Sequence, residues 1–465
     1  MKKNYTFFIV SLLISINLFA GSKTWTGANS QLWSDGANWS PAGSPGINDT
    51  AFFITSGTVD VDVNPLIYGL QVKNNANVIL NGTGSRLITI ANGGFTGLVF
   101  FIEQESTLTI QGASSGKSVS IQTYGNFVTT TAKINGTLIL GAFSSTWTLG
   151  SFPASFNNTD VTGTIRIAST NTGSCLSTAT NTTLRFLSGS KLEWQRSGGS
   201  APNANFMDGS VINVTGIVAS NMNFNSSAIY NGLLIWNCPA QAISGSSSIL
   251  LPTTSATMDS IRVVNTGSGS LRFTTNPNGY TIGSLEVQGG TLELSAPNSG
   301  SNNLTDTVVN EFKISGGTVY GNATYNFDNV SAYPDTLILR GNYIQTGGTF
   351  DFTNRPSGLL PGGSFVMTAK GNVTQTAGTI TATQGFGAQN QLTMSGTTMQ
   401  NLDIKTLTGT ITFTINNTAG VDLKNNLSLP YFLQLLKGYL QINNYDVTVA
   451  STQLTQASVS PKPRI

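Results

Sequence analysis

Apolar and polar residues alternate along most of this chain, and one short phrase punctuates the alternation. It reads apolar-x-apolar-x-x-Gly-Thr-apolar. The clearest copies are Leu285–Leu292, Phe312–Val319 and Tyr343–Phe350, and looser ones are Val373–Ile380, Ile404–Ile411 and Leu433–Leu440. Their glycines, Gly290, Gly317, Gly348, Gly378, Gly409 and Gly438, lie 27, 31, 30, 31 and 29 residues apart. A fixed period in this range is the mark of stacked repeats. Within each copy, period-two alternation on both sides of the glycine predicts strand, tight turn, strand with one face buried. Glycine supplies a positive-φ corner that a β-branched residue resists. The same grammar, less regular, runs through Gly57-Thr-Val59, Ser106-Thr-Leu108, Gly136-Thr-Leu138, Gly163-Thr-Ile165 and Gly189-Ser-Lys-Leu192.

The expected fold is all-β: a single-stranded right-handed parallel β-helix, or β-solenoid, with rungs of about 25–31 residues. Residues 55–284 would form its irregular part and 285–442 its regular part, the coil ending near 450. Residues 451–465 read as a disordered or truncated tail. Some 14 rungs at ~4.8 Å would make a rod on the order of 70 Å long. Ala201–Ser248 blurs the rhythm and reads as longer loops or a bend, not a linker, because Leu233-Leu-Ile-Trp236 still has the character of a buried strand.

Composition narrows the function. Only 9% of the 465 residues are charged and the net charge is +2, so no electrostatic footprint for nucleic acid exists. Histidine is absent, which removes the commonest general base and metal ligand. No cofactor is implied. Cys175 and Cys238, with 62 residues between them, leave both a disulfide and two buried thiols open. Met1–Ala20 has Lys2 and Lys3, an apolar run from Phe7 to Phe19 and a Leu18-Phe-Ala20 cleavage site, which predicts a secretory signal peptide. No later stretch is apolar enough to span a membrane, so the mature chain is expected to be secreted or held at the outer surface of a bacterium.

Residues 21–54 carry Trp25, Trp33 and Trp39 among Gly and Pro. They read first as an aromatic cap over the exposed end of the first rung, and second as a platform on which a glycan stacks. The phrase from Trp25 through Asn38-Trp39-Ser-Pro41 and Pro45-Gly46 to Asp49 and Phe52 resembles the opening of large exported bacterial repeat proteins. These are autotransporter-associated β-strand repeat proteins and adhesin-like proteins of the type IX secretion system. Thr414-Ile-Asn-Asn-Thr-Ala-Gly420-Val-Asp-Leu423 and the preceding Gly396–Ile404 are similar to segments of the second group. The resemblance covers the first fifty and roughly the last seventy residues. It implies a parallel β-helix, surface display and no catalysis. Proteins of the second group usually end in a β-sandwich sorting domain, whereas this chain ends Ser-Pro-Lys-Pro-Arg-Ile465, so either a truncated product or another export route is expected.

Candidate chemistry is sparse. Asp60/Asp62 and Glu103/Glu105 stand at strand spacing, and Asp60 and Asp62 are the calcium candidates, with a solvated strand edge as the plainer reading. Thr291/Glu293, Thr318/Tyr320, Thr349/Asp351, Thr379/Thr381 and Thr410/Thr412 are read as outward, too mixed for an ice-binding ladder. Asp49-Thr50, Asp259-Ser260, Asp306-Thr307 and Asp335-Thr336 resemble an O-glycosylation sequon of bacteria that use type IX export. The expected function is an exported structural or adhesin-like module with a glycan or other surface ligand. The alternative is a secreted polysaccharide lyase or hydrolase, which would gather Asp with Arg or Lys in one cleft.

Overall fold

The computed structural model describes residues 21–91, 97–124, 130–143, 146–149, 159–177, 183–225, 227–243, 248–249, 258–273, 279–295, 305–322, 335–353, 364–383, 390–450 and 454–456. Met1–Ala20, the expected signal peptide, lies outside them. Among the described residues strands dominate, with one short 3-10 turn at Gly36–Asn38, and the chain is all-β with parallel ladders. No helix of the described residues is long and apolar enough to cross a membrane. The chain divides into two compact units, residues 1–165 with 170–179 and residues 166–169 with 180–465.

In the first unit, three parallel ladders each take every third strand. One contains Asp49–Phe53, Gly69–Val72, Gly97–Ile102, Thr130–Ile134 and Thr159–Val161. The second contains Gly57–Val61, Asn77–Gly82, Thr107–Gly112 and Thr137–Leu140. Leu66–Ile67, Ser85–Ala91, Ser118–Tyr124, Thr146–Leu149 and Leu176–Ser177 form the third. Alternation sends Val78, Leu80, Leu108, Ile110, Leu138 and Leu140 inward, each at most 1% exposed. Corners stack as closely as strands do. Thr137 N–H donates to the Ser106 carbonyl, and a Cβ on Gly136 would lie 2.2 Å from that oxygen.

In the second unit, Lys191–Trp194, Val211–Val214, Leu233–Asn237, Met258–Asn265, Thr281–Val287 and Thr305–Ile314 pair in parallel. Their register continues into Asn342–Thr353, Val373–Thr381 and Gln400–Asp403. It aligns Leu192, Ile212, Leu234, Ile261, Leu285, Phe312, Tyr343, Val373 and Leu402, all at most 2% exposed. Burying each such side chain contributes about 1.5–3 kcal/mol. Beside this column Phe186, Phe206 and Tyr230 stack with ring centroids 4.6 and 5.4 Å apart.

The repeat glycines show why the strands turn where they do. Gly290, Gly317, Gly348 and Gly378 have φ of 74°, 71°, 66° and 87°. They stand directly over one another: a Cβ on Gly317, Gly348 or Gly378 would lie 2.5, 2.6 or 2.5 Å from the carbonyl of the glycine below. Thr318 and Thr349 N–H donate to the Gly290 and Gly317 carbonyls, at 2.8 and 2.9 Å. Asn342–Thr353 runs through its glycine corner and hydrogen-bonds on both sides of it. Such strands join neighbouring ladders, and the sheet they belong to closes on itself instead of remaining a set of separate flat ladders.

The alignment of the last two repeat glycines differs from the expected one. Val373 pairs with Leu402, not with Ile404. Gly409 stacks on Ala382, and Gly438 on Asn417, although both keep positive φ (78° and 82°). The buried side chain of Gln375 explains the first shift. Its Oε1 accepts from Lys405 N and Thr406 N at 2.9 and 2.8 Å, so it fills the corner that glycine occupies elsewhere. Inside the 451–465 segment, Leu454–Gln456 is a strand paired with Leu433–Leu435 rather than part of a featureless tail.

Among the inward positions that break the apolar rule, one carries a carboxyl group far from its ordinary pKa. Asp306 pairs alongside Leu337 and is 2% exposed. Burial above all lifts its carboxyl well above the usual range; hydrogen bonds from Tyr280 oppose this, and the Asp335 charge adds to it.

Two outcomes are expected. Gly348→Ala loses about 1–2 kcal/mol to the left-handed backbone alone and more to the carbonyl beneath it. Gly189→Ala, at φ 82° with open space around it, loses only the backbone part; chemical denaturation of both variants separates the two contributions. For Asp306, a raised folded pKa means that its favourable contribution is complete below the ordinary value of 3.8 and is lost as pH rises through the folded value. Asp306→Asn should therefore raise the thermal midpoint at pH 8 and change it little or lower it at pH 4; the opposite pH order contradicts this account.

Candidate functional site

A hollow of the second unit lies on the outside of the ladder, where Met258–Asn265, Thr281–Val287 and Thr305–Ile314 run side by side. Register makes it. Ile282 pairs with Val308 and Ser284 with Glu311, so Val309 and Asn310 together oppose Gly283. This is a β-bulge, which bends a strand and re-aims its side chains. Gly283 has no room for more: a Cβ would lie 2.2 Å from the Asp259 carbonyl. Over this floor opens a cleft of about 350 Å³ lined by Asp208, Asn231, Met258, Asp259, Thr281, Gly283, Val309 and Asn310. A second hollow of about 280 Å³ is lined by Leu233, Ser260, Ile261, Arg262, Ser284, Leu285, Glu286, Glu311 and Lys313. Asp259 and Ser260, Gly283 and Ser284, and Asn310 and Glu311 are sequence neighbours that line one hollow and the other, so the two adjoin as a groove across successive strands.

Its electrostatics are those of a paired ladder. Arg262, Glu286 and Lys313 hold the same position on three successive strands. Arg262 Nε donates to Glu286 Oε2 at 2.7 Å, and Lys313 Nζ lies 3.2 Å from Oε1. Burial alone would raise the Glu286 pKa, but hydrogen bonds from Gln288, Arg262 and Lys313 hold it below its usual range, so it stays ionised. The charged groups in the centre are thus committed to one another. Around them Ser260, Ser284, Asn231, Thr281 and Asn310 offer neutral donors and acceptors, beside the carboxylates of Asp208, Asp259 and Glu311. Such a lining suits recognition of hydroxyl-rich molecules, where amide and hydroxyl groups set orientation.

The residues singled out from sequence lie elsewhere. Trp25, Trp33 and Trp39 are 5%, 1% and 2% exposed. Trp39 meets Trp25 and Trp33 edge-on at 5.1 and 5.0 Å, and all three surround Phe53. Trp39 Nε1 donates to the Trp33 carbonyl. Packed this way, the indoles offer no open face for a sugar. Their segment instead blocks strand edges. Trp33 N donates to the Asp60 carbonyl and Asp60 N to the Gln31 carbonyl, while Trp39–Ser40 pairs antiparallel with Gly21–Trp25.

The acidic pairs divide. Asp60 accepts from Asn81 Nδ2 at 2.8 Å, whereas Asp62 accepts from Ser34 N at 3.0 Å, so each carboxylate is engaged on a different neighbour. Among the described residues no group of three or more Cys, Asp or Glu is placed to hold a metal. Glu103 and Glu105 do not share a strand face. They lie in a turn, Glu105 at φ 65°, and Glu103 accepts from Asn74 N. Cys175 and Cys238 are both buried free thiols; burial pushes Cys238 up to about 11, and it donates to the Val214 carbonyl.

Of the ten positions read as outward beyond the repeat glycine, seven are partly exposed, and Glu293, Asp351 and Thr412 are buried. Glu293 and Asp351 are 8% and 4% exposed; Glu293 pairs with Arg272 and accepts from Ser270, and Asp351 accepts from Thr353 N, Thr383 N and the Thr383 hydroxyl. Alternation identified their face but not what lies over it. Thr50 and Thr307 of the sequon-like triplets are likewise buried.

No protein-family model, curated protein or solved structure matches this chain.

The groove depends on Gly283. Gly283→Ala should cost about 1–3 kcal/mol as an overpacking change, read as a lower denaturation midpoint. A midpoint equal to the parent's would show that the Asp259 backbone does not bound the groove floor.

Proposed function

We propose that this protein is an exported bacterial surface module: a right-handed parallel β-helix with adhesin-like character that binds glycan through the groove at Gly283 and performs no catalysis. Parallel ladders that take every third strand, with corners stacked on corners, support the helical reading. The signal-like Met1–Ala20 and the low charge support export. The Trp25–Phe52 phrase supports kinship with exported repeat proteins.

The observation that carries glycan binding is the groove's lining. Its central Arg262 and Lys313 are both paired with Glu286, and the hydroxyls and amides of Ser260, Ser284, Thr281, Asn231 and Asn310 stand beside them to meet the ligand. Glu286, held ionised between Arg262 and Lys313, ties the two cations together, and the resemblance to exported repeat proteins is what supports a non-catalytic role. The charged residues act here as a rigid frame.

The test uses the secreted chain on an array of neutral oligosaccharides. Binding of an extended neutral glycan is expected, weakened at least about fivefold by Asn231→Ala, the loss of one or two ligand hydrogen bonds at about 1 kcal/mol each. The thermal midpoint should not move, because Asn231 is exposed. An array with no bound sugar removes the proposal. Shorter products released from a bound sugar would replace it with the hydrolase or lyase alternative.

A further inference from the structure

A second surface, in the first unit, has the makings of a different binding site. Thr24, Phe52, Gln71, Phe101 and Lys133 occupy one position on five successive parallel strands. All are at least partly exposed, alternating with the buried Ala51, Phe53, Leu70, Val72, Phe100 and Ile102. Phe52 and Phe101 are therefore separated by two strand spacings, about 10 Å, with the Gln71 amide between them. At the end of the Gly69–Val72 strand, Lys73 turns back over this row. Its Nζ lies 5.2 Å from the Phe52 ring centroid and 5.7 Å from that of Phe101. The ammonium is held between two aromatic rings, and among the described residues no carboxylate lies within ion-pair distance of it. The exposed Lys133 follows Phe101 in register.

Two partly exposed aromatic rings in a row, with a positioned cation between them, are an unusual expenditure on a chain with so few charges. Aromatic faces meet the C–H face of a sugar ring, and the ammonium meets a carboxylate. The spacing of the rings is comparable to one disaccharide of an extended β-linked chain laid across the strands. We propose that this row binds an acidic polysaccharide of the uronate type, its sugars resting on Phe52 and Phe101 and a carboxylate on Lys73. The inference shares only the ligand class, glycan, with the function proposed above and uses a separate surface.

The experiment measures binding of the secreted chain to polymannuronate oligosaccharides and to cello-oligosaccharides, which have the same linkage but no carboxylate. The acidic oligomer should bind the row, and binding should weaken as salt is raised. Lys73→Gln should weaken it about tenfold, and Lys73→Arg should preserve it. Asn231→Ala, in the other groove, should leave it unchanged. Because Phe101 is partly buried, Phe101→Ala is interpreted only with a matching thermal midpoint. Failure of polymannuronate to bind, equal affinity for the two oligomers, or indifference to Lys73→Gln overturns the proposal. If cello-oligosaccharides bind and polymannuronate does not, this inference falls while the groove reading stands. If polymannuronate binds and Asn231→Ala alone abolishes it, the acidic ligand belongs to the groove and the row is structural.

Discussion

Backbone-to-backbone spacing between stacked corners is the constraint from which the rest follows. Parallel strands sit about 4.8 Å apart, and here their turns are stacked at the same interval. The carbonyl of Gly317 accepts from Thr349 N while standing where a Cβ on Gly348 would be. A side chain at such a corner would push the next strand out of register, and the inward columns would lose their alignment. Glycine at the corner and apolar residues on the flanks are thus two expressions of one geometry. Where the corner is built differently, as at Lys405-Thr406, the buried Gln375 amide supplies the hydrogen bonds and the glycine is dispensed with.

The same stacking disposes of charge. In register, a residue's nearest same-face neighbours are the equivalent residues one strand away, so complementary charges on successive strands meet. Arg262 with Glu286 and Lys313, Arg272 with Glu293, and Arg166 with Glu193 all arise this way. The partly exposed pairs contribute little stability each, but Glu286 with Arg262 and Lys313 holds the groove lining in one arrangement. The groove and the Phe52–Phe101 row are opposite outcomes of this rule. In the groove the cations are paired with Glu286; in the row Lys73 is set against rings instead.

Much of the fold was legible because it depends on local pattern. Period-two alternation marked the strands, and the Gly-Thr phrase marked corners that do have positive φ. The misalignment at Ile404 and the turn at Glu103–Glu105 mark the limit of that pattern. Spacing cannot reveal that a glutamine amide replaces a corner, nor that Glu105 adopts a left-handed conformation. The groove was not legible at all. Its parts, Asp208, Asn231, Asp259 and Asn310, are scattered over about a hundred residues, and only the bulge opposite Gly283 brings them together. Gly283 carried one faint signal, a glycine within the apolar alternation Ile282–Val287.

By itself, then, the amino-acid order determined the strand class, the approximate period and the corner glycines, because each is dictated by a residue's own backbone and its immediate neighbours. Tertiary structure decided which corners lie over which, which of the alternating outward residues are covered, and which charges meet. Those depend on register between strands some 20–30 residues apart, and a shift of one residue there changes every cross-strand contact without altering a single local preference.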